Sequence, residues 1–169
     1  WESIESMSMG IKKAVIASED QLFLEHYGFD FDAMQKAMAS NEKGKAVRGG
    51  STISQQTAKN AFLLPHRIYL RKGLEAYFTL LIELLWPKER ILEVYLNVIE
   101  FGNGIYGVEA AAQHFFNKSA SKLKESESAL LAAVLPNPIL YKVDKPTKYV
   151  LRRKKWILRQ MKHLNIKFD

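Results

Sequence analysis

Two short segments carry residue types able to do chemistry together. The first, Ala14 to Gly28, includes Glu19, Asp20, Phe23, Glu25 and His26. The second reads Gly49-Gly50-Ser51-Thr52-Ile53-Ser54-Gln55-Gln56-Thr57-Ala58-Lys59-Asn60. One offers a carboxylate placed to act as a base, the other a helix start built to hold an anion. That pairing suits transfer of a sugar away from a phosphate leaving group.

Glu19 is the stronger base candidate. It follows an apolar helical face, so it should be partly desolvated, and it sits at a helix C-terminus, where the macrodipole disfavours negative charge; both make a carboxylate a better base. Phe23, four residues on, is expected to supply an apolar wall. His26, one turn further, is placed to orient an acid, although a lone histidine is more often structural.

In a helix starting near Ser51, the residues Ser51, Gln55 and Lys59 recur at four-residue steps and drift slowly around one face. Free backbone N–H groups at that start, preceded by two glycines, predict an anion site, to which Lys59 adds charge. Arg67, Arg71 and Glu75 repeat the same spacing, with Lys72 adjacent. As a plain helix pair, Arg71–Glu75 is worth only ~0.3 kcal/mol. The cation density of Lys59, Arg67, Arg71 and Lys72, however, is enough to neutralise a pyrophosphate. Glu93 and Asn97 read as packing or hydrogen-bonding residues of a core helix.

The elements that must position these groups are helical. Ile4, Met7, Ile11, Ala14, Val15 and Ser18 recur at three- and four-residue steps and predict a helix delivering Glu19 near its C-terminal end. His26 to Gly28 makes a turn, and Phe31 to Ala39 a short helix. Asn41 to Gly50, polar and glycine-bearing, is expected to be a mobile loop with the composition of a lid. Ser51 or Thr52 caps a helix running to about Asn60. Pro65 closes the next turn, Tyr69 to Trp86 is a long helix stopped by Pro87, and Lys88 to Ile99 follows. Gly102-Asn103-Gly104 breaks the pattern before helices at Tyr106 to Phe116, Glu125 to Leu135 and Thr147 to Leu164. Few segments alternate as strands do. The expectation is a mainly α single domain spanning residues 1–169, with any sheet small.

Composition sets the outer bounds. With 169 residues, 47% of them hydrophobic and 25% charged, the chain suffices for one well-buried core and is short for two. No cysteine is present, which removes thiolate metal sites and a cysteine nucleophile. The net charge of +7 is uneven: residues 142–167 hold ten Lys/Arg against one acid, Asp144. Such a segment points either to an anionic neighbour, nucleic acid or lipid headgroups, or to an amphipathic helix turning Tyr149, Trp156, Leu158 and Met161 to a core. The apolar run Ala76 to Trp86 contains Glu83 and is too short to cross a bilayer.

The chain resembles the peptidoglycan glycosyltransferase family (family 51), and in particular its monofunctional members. The matching blocks are Glu19-Asp20-x-x-Phe23-x-x-His26-x-Gly28, Gly50 to Gln56, Arg71-Lys72-x-x-Glu75, Lys88 to Asn97 and Gly104 to Ala111, all in family order. Ser54 stands where the family usually has threonine, and the family's N-terminal membrane anchor has no counterpart in the sequence.

The resemblance implies a lysozyme-like fold with a large lobe, a small membrane-associated lobe and a cleft between them. It implies polymerisation of lipid II into β-1,4-linked glycan with inversion and release of undecaprenyl diphosphate, on the periplasmic or extracellular face of the cytoplasmic (inner) membrane. On that reading Glu19 is the general base for the acceptor 4-hydroxyl, and Glu75 lies near the donor diphosphate, assisting departure or positioning a cation. Ser51, Thr52, Gln55, Lys59, Arg67, Arg71 and Lys72 would hold the diphosphate, while Asp20, Phe23 and His26 shape the site. No metal ligands are assigned; the one cofactor left open is a divalent cation, Mg2+ or Mn2+, near the diphosphate. Implied partners are lipid II, the nascent glycan strand, the membrane surface and cell-wall synthesis or division proteins, with no nucleic acid. Inhibition by moenomycin, a phosphoglycolipid donor mimic, is also implied. Inversion predicts a Glu19–Glu75 separation clearly above the ~5 Å of retaining glycosidases. A lytic muramidase would have no use for the cations, and a nucleic-acid-binding module using residues 142–167 would leave Glu19 idle.

Overall fold

A computed structural model describes residues 1–42, 50–63 and 69–166, without the side chains of 36, 38, 40–42, 69 and 70. The expected lid at Asn41–Gly50 falls largely outside the described residues, as do the Pro65 turn and Arg67.

After a single 3-10 turn at Ile4–Ser6, helix α1 spans Met9–Glu19. It starts later than periodicity alone predicts because Ser8 accepts a hydrogen bond from the Ile11 amide and caps it there. Ile4 and Met7 are still buried ahead of the cap. The run Ala14 to Ala17 leaves no polar face, so the second half of α1 is central to the core.

Helix α2 covers Phe31–Glu42, longer than the sequence suggests, and α3 covers Ile53–Phe62. Helix α4 spans Tyr69–Leu85 and α5 spans Lys88–Val98, with Pro87 between them as expected. On α4, Glu75, Thr79 and Ile82 point inward at helical spacing, while Leu74, Tyr77, Leu80, Leu84 and Leu85 are exposed. Two short antiparallel strands, β1 (Glu100–Gly102) and β2 (Ile105–Tyr106), form a hairpin where the glycines suggested only a break. Helices α6 (Val108–Phe116), α7 (Glu125–Val134) and α8 (Lys148–Met161) complete the described chain. The protein is thus mainly α with a minimal sheet.

Helix α1 packs against α7 and α8, and α3 packs against α4 and α5. The basic segment is an amphipathic helix whose inner face is Val150, Ile157 and Met161. Tyr149 instead stacks on Tyr141 near the surface. Motif residues Glu93 and Asn97 serve the fold: Glu93 accepts from the Ile4 amide and pairs with Arg90, and Asn97 bonds both backbone groups of Glu2. Among the described residues, no helix is long and apolar enough to cross a membrane.

Candidate active site

Glu19 ends α1 with its side chain only 13% exposed. Its Oε1 accepts from the Ser18 hydroxyl at 2.7 Å and lies 3.4 Å from Nη2 of Arg153, on α8. Its Oε2 meets Nε2 of Gln56, on α3, at 3.4 Å. The carboxylate lines a cavity of about 290 Å³ together with Asp20, Leu22, Asp30, Ser51 and Trp156.

The next residue, Asp20, serves a different purpose. Its Oδ1 is 2.8 Å from Nε2 of His26, and its Oδ2 accepts from the Ile53 amide at 3.0 Å. This alters the expected anion site. At the start of α3, Thr52 N donates to Gln55 Oε1, and Gln55 N donates to Thr52 Oγ1, a capping box. Three N–H groups of this helix start therefore already have partners, and the anion at its positive end is the protein's own Asp20 carboxylate.

The stripe expected from Ser51 through Gln55 to Lys59 is corrected as well. Ser51 precedes the Thr52 cap and is exposed in the cavity wall, Gln55 is turned inward, and Lys59 is half-buried. Phe23 supplies no wall to the cavity, for it is wholly buried beneath the 20–28 segment, edge-on to His26 and under the Lys88 ammonium at 4.7 Å. The expected Arg71–Glu75 pair is replaced by Lys72–Glu75, one residue closer, with Glu75 buried. Helix geometry brings third and fourth neighbours equally near, and the lysine is the one that folds over.

A polar network holds the 20–28 segment in place. Lys88 Nζ donates to the His26 carbonyl at 2.6 Å and to Glu83 Oε1 at 2.7 Å, and Ser54 Oγ donates to the same Glu83 oxygen. Thr52 Oγ1 donates to the Gly28 carbonyl at 2.6 Å. Gly28 has φ +82°, and a Cβ there would lie 2.8 Å from Thr79 Cγ2, so the turn requires glycine twice over. The 20–28 segment is thereby tied to α3, α4 and α5 at once. Tyr95, fully buried on α5, has its phenol pushed well above the usual range, first by burial and then by the charges of Glu19 and Asp20. It remains neutral beside the acid pair.

The structure thus puts Glu19, Asp20, Ser51 and Thr52 around one cavity, with Phe23, His26 and Gln55 as its buried frame. Lys59, Arg71, Lys72 and Glu75 lie on the packed pair α3 and α4. Lys59 is three residues beyond Gln56 on the same helix face, ~5 Å further along. Ser18, Glu83, Lys88, Arg153 and Trp156 also belong to the site, although no local motif marks them as site residues. For Glu83 the available signal was a single acid inside an apolar run, which has to be paired if buried; for Arg153 there was only the basic helix.

Among the described residues no three His, Asp or Glu side chains converge as metal ligands, and the Glu75 carboxylate already holds a cation, Lys72. A divalent ion here would draw its ligands mainly from the diphosphate and water, with at most one or two protein carboxylates.

Residues 1–162 match the family model described as Transglycosylase. A biosynthetic peptidoglycan transglycosylase of Haemophilus influenzae is 60% identical over 169 residues, covering 99% of this chain and 69% of that protein. The protein of the same name from Shewanella oneidensis is 58% identical, covering 97% and 70%. That of Caulobacter vibrioides is 59% identical, covering 93% and 69%. A matched family model over nearly the whole length, together with relatives of this identity, places the chain in the transglycosylase family.

Proposed function

We propose that this chain polymerises lipid II into β-1,4-linked glycan strands, with Glu19 as the general base. The observation that carries the reading is the largely buried Glu19 carboxylate, with one oxygen unclaimed by a close donor among the described residues, facing a cavity in a chain of the transglycosylase family. The acceptor 4-hydroxyl loses its proton to Glu19, its oxygen bonds to the donor anomeric carbon, and the bond from that carbon to the diphosphate breaks with its electron pair. Undecaprenyl diphosphate leaves, and an α-linked donor gives a β-linked product.

A diphosphate is already a good leaving group, so neutralising its charge matters more than protonating it. Lys59, Arg67, Arg71 and Lys72 supply that charge, with Ser51 at the cavity rim. Thr52 and Gln55 hold the start of the helix that presents Lys59, and Asp20, Phe23 and His26 hold the base's segment. Glu75 keeps Lys72 oriented beside the donor. No step is routed through a metal.

The exposed apolar face of α4 suits shallow burial in a bilayer surface, where a polyprenyl substrate is held. In this reading the site of action is the outer face of the cytoplasmic membrane, where wall polymer is assembled, and the fold has the small and large lobes that the family resemblance implies. Inversion requires Glu19 and the departing diphosphate to flank the reacting carbon from opposite sides. Cell-wall synthesis or division proteins are the fitting partners.

The test is a lipid II polymerisation assay, run with and without divalent cation. Glu19→Gln should abolish glycan formation while leaving lipid II binding largely intact; near-normal turnover would remove Glu19 as the base. Lys59→Ala should lower kcat/KM by ~10- to 100-fold, the range expected for losing one charged contact to an anion. Unchanged kinetics would undo its diphosphate role.

A further inference from the structure

We infer that Arg153 and Ser18 are positioning residues for Glu19, and that between them they divide the work of its two oxygens: Oε1 is held by the protein, and Oε2 takes the acceptor proton. This rests on the reading of Glu19 as the base.

The geometry is a short chain of donors. Arg153 Nη2 donates to Ser18 Oγ at 2.9 Å, and is 3.3 Å from the Ser18 carbonyl and 3.4 Å from Glu19 Oε1. A hydroxyl has one hydrogen to give. With Arg153 donating into its oxygen, Ser18 turns that hydrogen to Oε1, 2.7 Å away, in preference to the Ala132 carbonyl at 3.3 Å. Oε1 thus receives a short neutral bond and a longer cationic one. Among the described residues, Oε2 meets only the Gln56 amide, at the far limit of hydrogen-bond distance, so it keeps lone-pair capacity for an incoming hydroxyl.

The clamp comes from behind. Glu19 and Ser18 line the cavity, whereas Arg153 is not among its lining residues. The helix bearing Arg153 is seated by Val150 and Ile157, one residue set on either side of it and both fully buried. A glutamate at a helix end has three rotatable bonds and would otherwise sample several positions. Fixing it through a packed helix gives the near-attack geometry a base requires, and a displacement of about 1 Å can cost ~100-fold in rate. The purely structural alternative is that Arg153 caps the last carbonyls of α1 and does nothing for turnover.

The two accounts part in kinetics. Arg153→Ala, assayed well below its melting temperature with saturating lipid II, is expected to lose ~100-fold in kcat. Its KM should stay within about threefold, because Arg153 does not line the cavity. Added guanidinium ion should restore at least ~10-fold of that loss, and should do nothing for Glu19→Gln. Ser18→Ala should lose ~10-fold in kcat, and Arg153→Lys should fall between wild type and Arg153→Ala, since a point charge replaces a planar fork. If Glu19→Gln is inactive while folded Arg153→Ala turns over normally, the positioning role is wrong and the base stands. If Glu19→Gln itself remains active, it is the base that is wrong. Should Arg153→Ala fail to fold, Ser18→Ala and Arg153→Lys decide, and wild-type kcat in both overturns the inference.

Discussion

Asp20 gives both carboxylate oxygens to the fold, one to His26 and one to the Ile53 amide, and its side chain is 2% exposed. Glu19, one residue earlier, gives one oxygen to Ser18 and Arg153, and among the described residues the other meets only a distant Gln56 amide at a cavity. The difference arises where α1 ends. Glu19 is its last helical residue, while Asp20, the C-cap, has left helical geometry with φ −160° and swings its side chain toward α3. Two adjacent acids are therefore aimed in different directions, and the chain gains a rigid anchor beside a reactive group. The rigidity of the one is what lets the other be placed.

Four substitutions test that contrast, beginning with the largest effect. Glu19→Gln should reduce glycan polymerisation by at least ~100- to 10,000-fold, the range for removing a general base, with a melting temperature close to wild type. A melting loss as large as that of the Asp20 variant would erase the distinction between the two acids. Asp20→Ala leaves His26 Nε2 and the Ile53 amide buried without their acceptor, at ~1–3 kcal/mol each. It should lower the melting temperature by several degrees, with activity falling as a consequence, and full stability would show that the anchor holds nothing.

Gly28→Ala forces a side chain into a left-handed turn and against Thr79. It should cost ~1–3 kcal/mol in denaturant unfolding, and a neutral result would mean the 20–28 segment is free to shift. Glu109→Gln lies away from the site and sharpens the comparison as a purely structural carboxylate. Burial raises the pKa of Glu109, but bonds from the Ala120 amide, Gln113 and Ser119 outweigh it and leave the group below its usual range. Its stabilisation is therefore present above the unfolded-state pKa and is lost as pH falls through the lower folded-state value. The variant should lose ~1 kcal/mol at neutral pH, converge with wild type in acid, and polymerise glycan normally. Equal stability differences at pH 7 and in acid would contradict the assignment.

Local signals made much of this legible in the sequence. The apolar steps before Glu19 place it at a helix end, Thr52 is a strong cap, and Pro87 separates two long helices, because each of these follows from interactions within a few residues. Contacts that join distant helices were not legible. Arg153 reaches Glu19 across 134 residues of chain, and Asp20 reaches Ile53 across 33. Periodicity shows that α8 has an inner face but not which helix it meets. The glycines before Ser51 suggested an open anion cradle, and nothing local reveals that Asp20 fills the end of that helix. The hairpin at Glu100–Tyr106 is too short for alternation to register.

The reach from α8 back to α1 has a consequence during synthesis. Elongation at ~5–20 residues per second separates the emergence of Glu19 from that of Arg153 by roughly 7–27 s. Throughout that interval a nascent chain carries its acid without the guanidinium behind it. Full turnover would then be reached only by molecules whose translation has passed the distal helix.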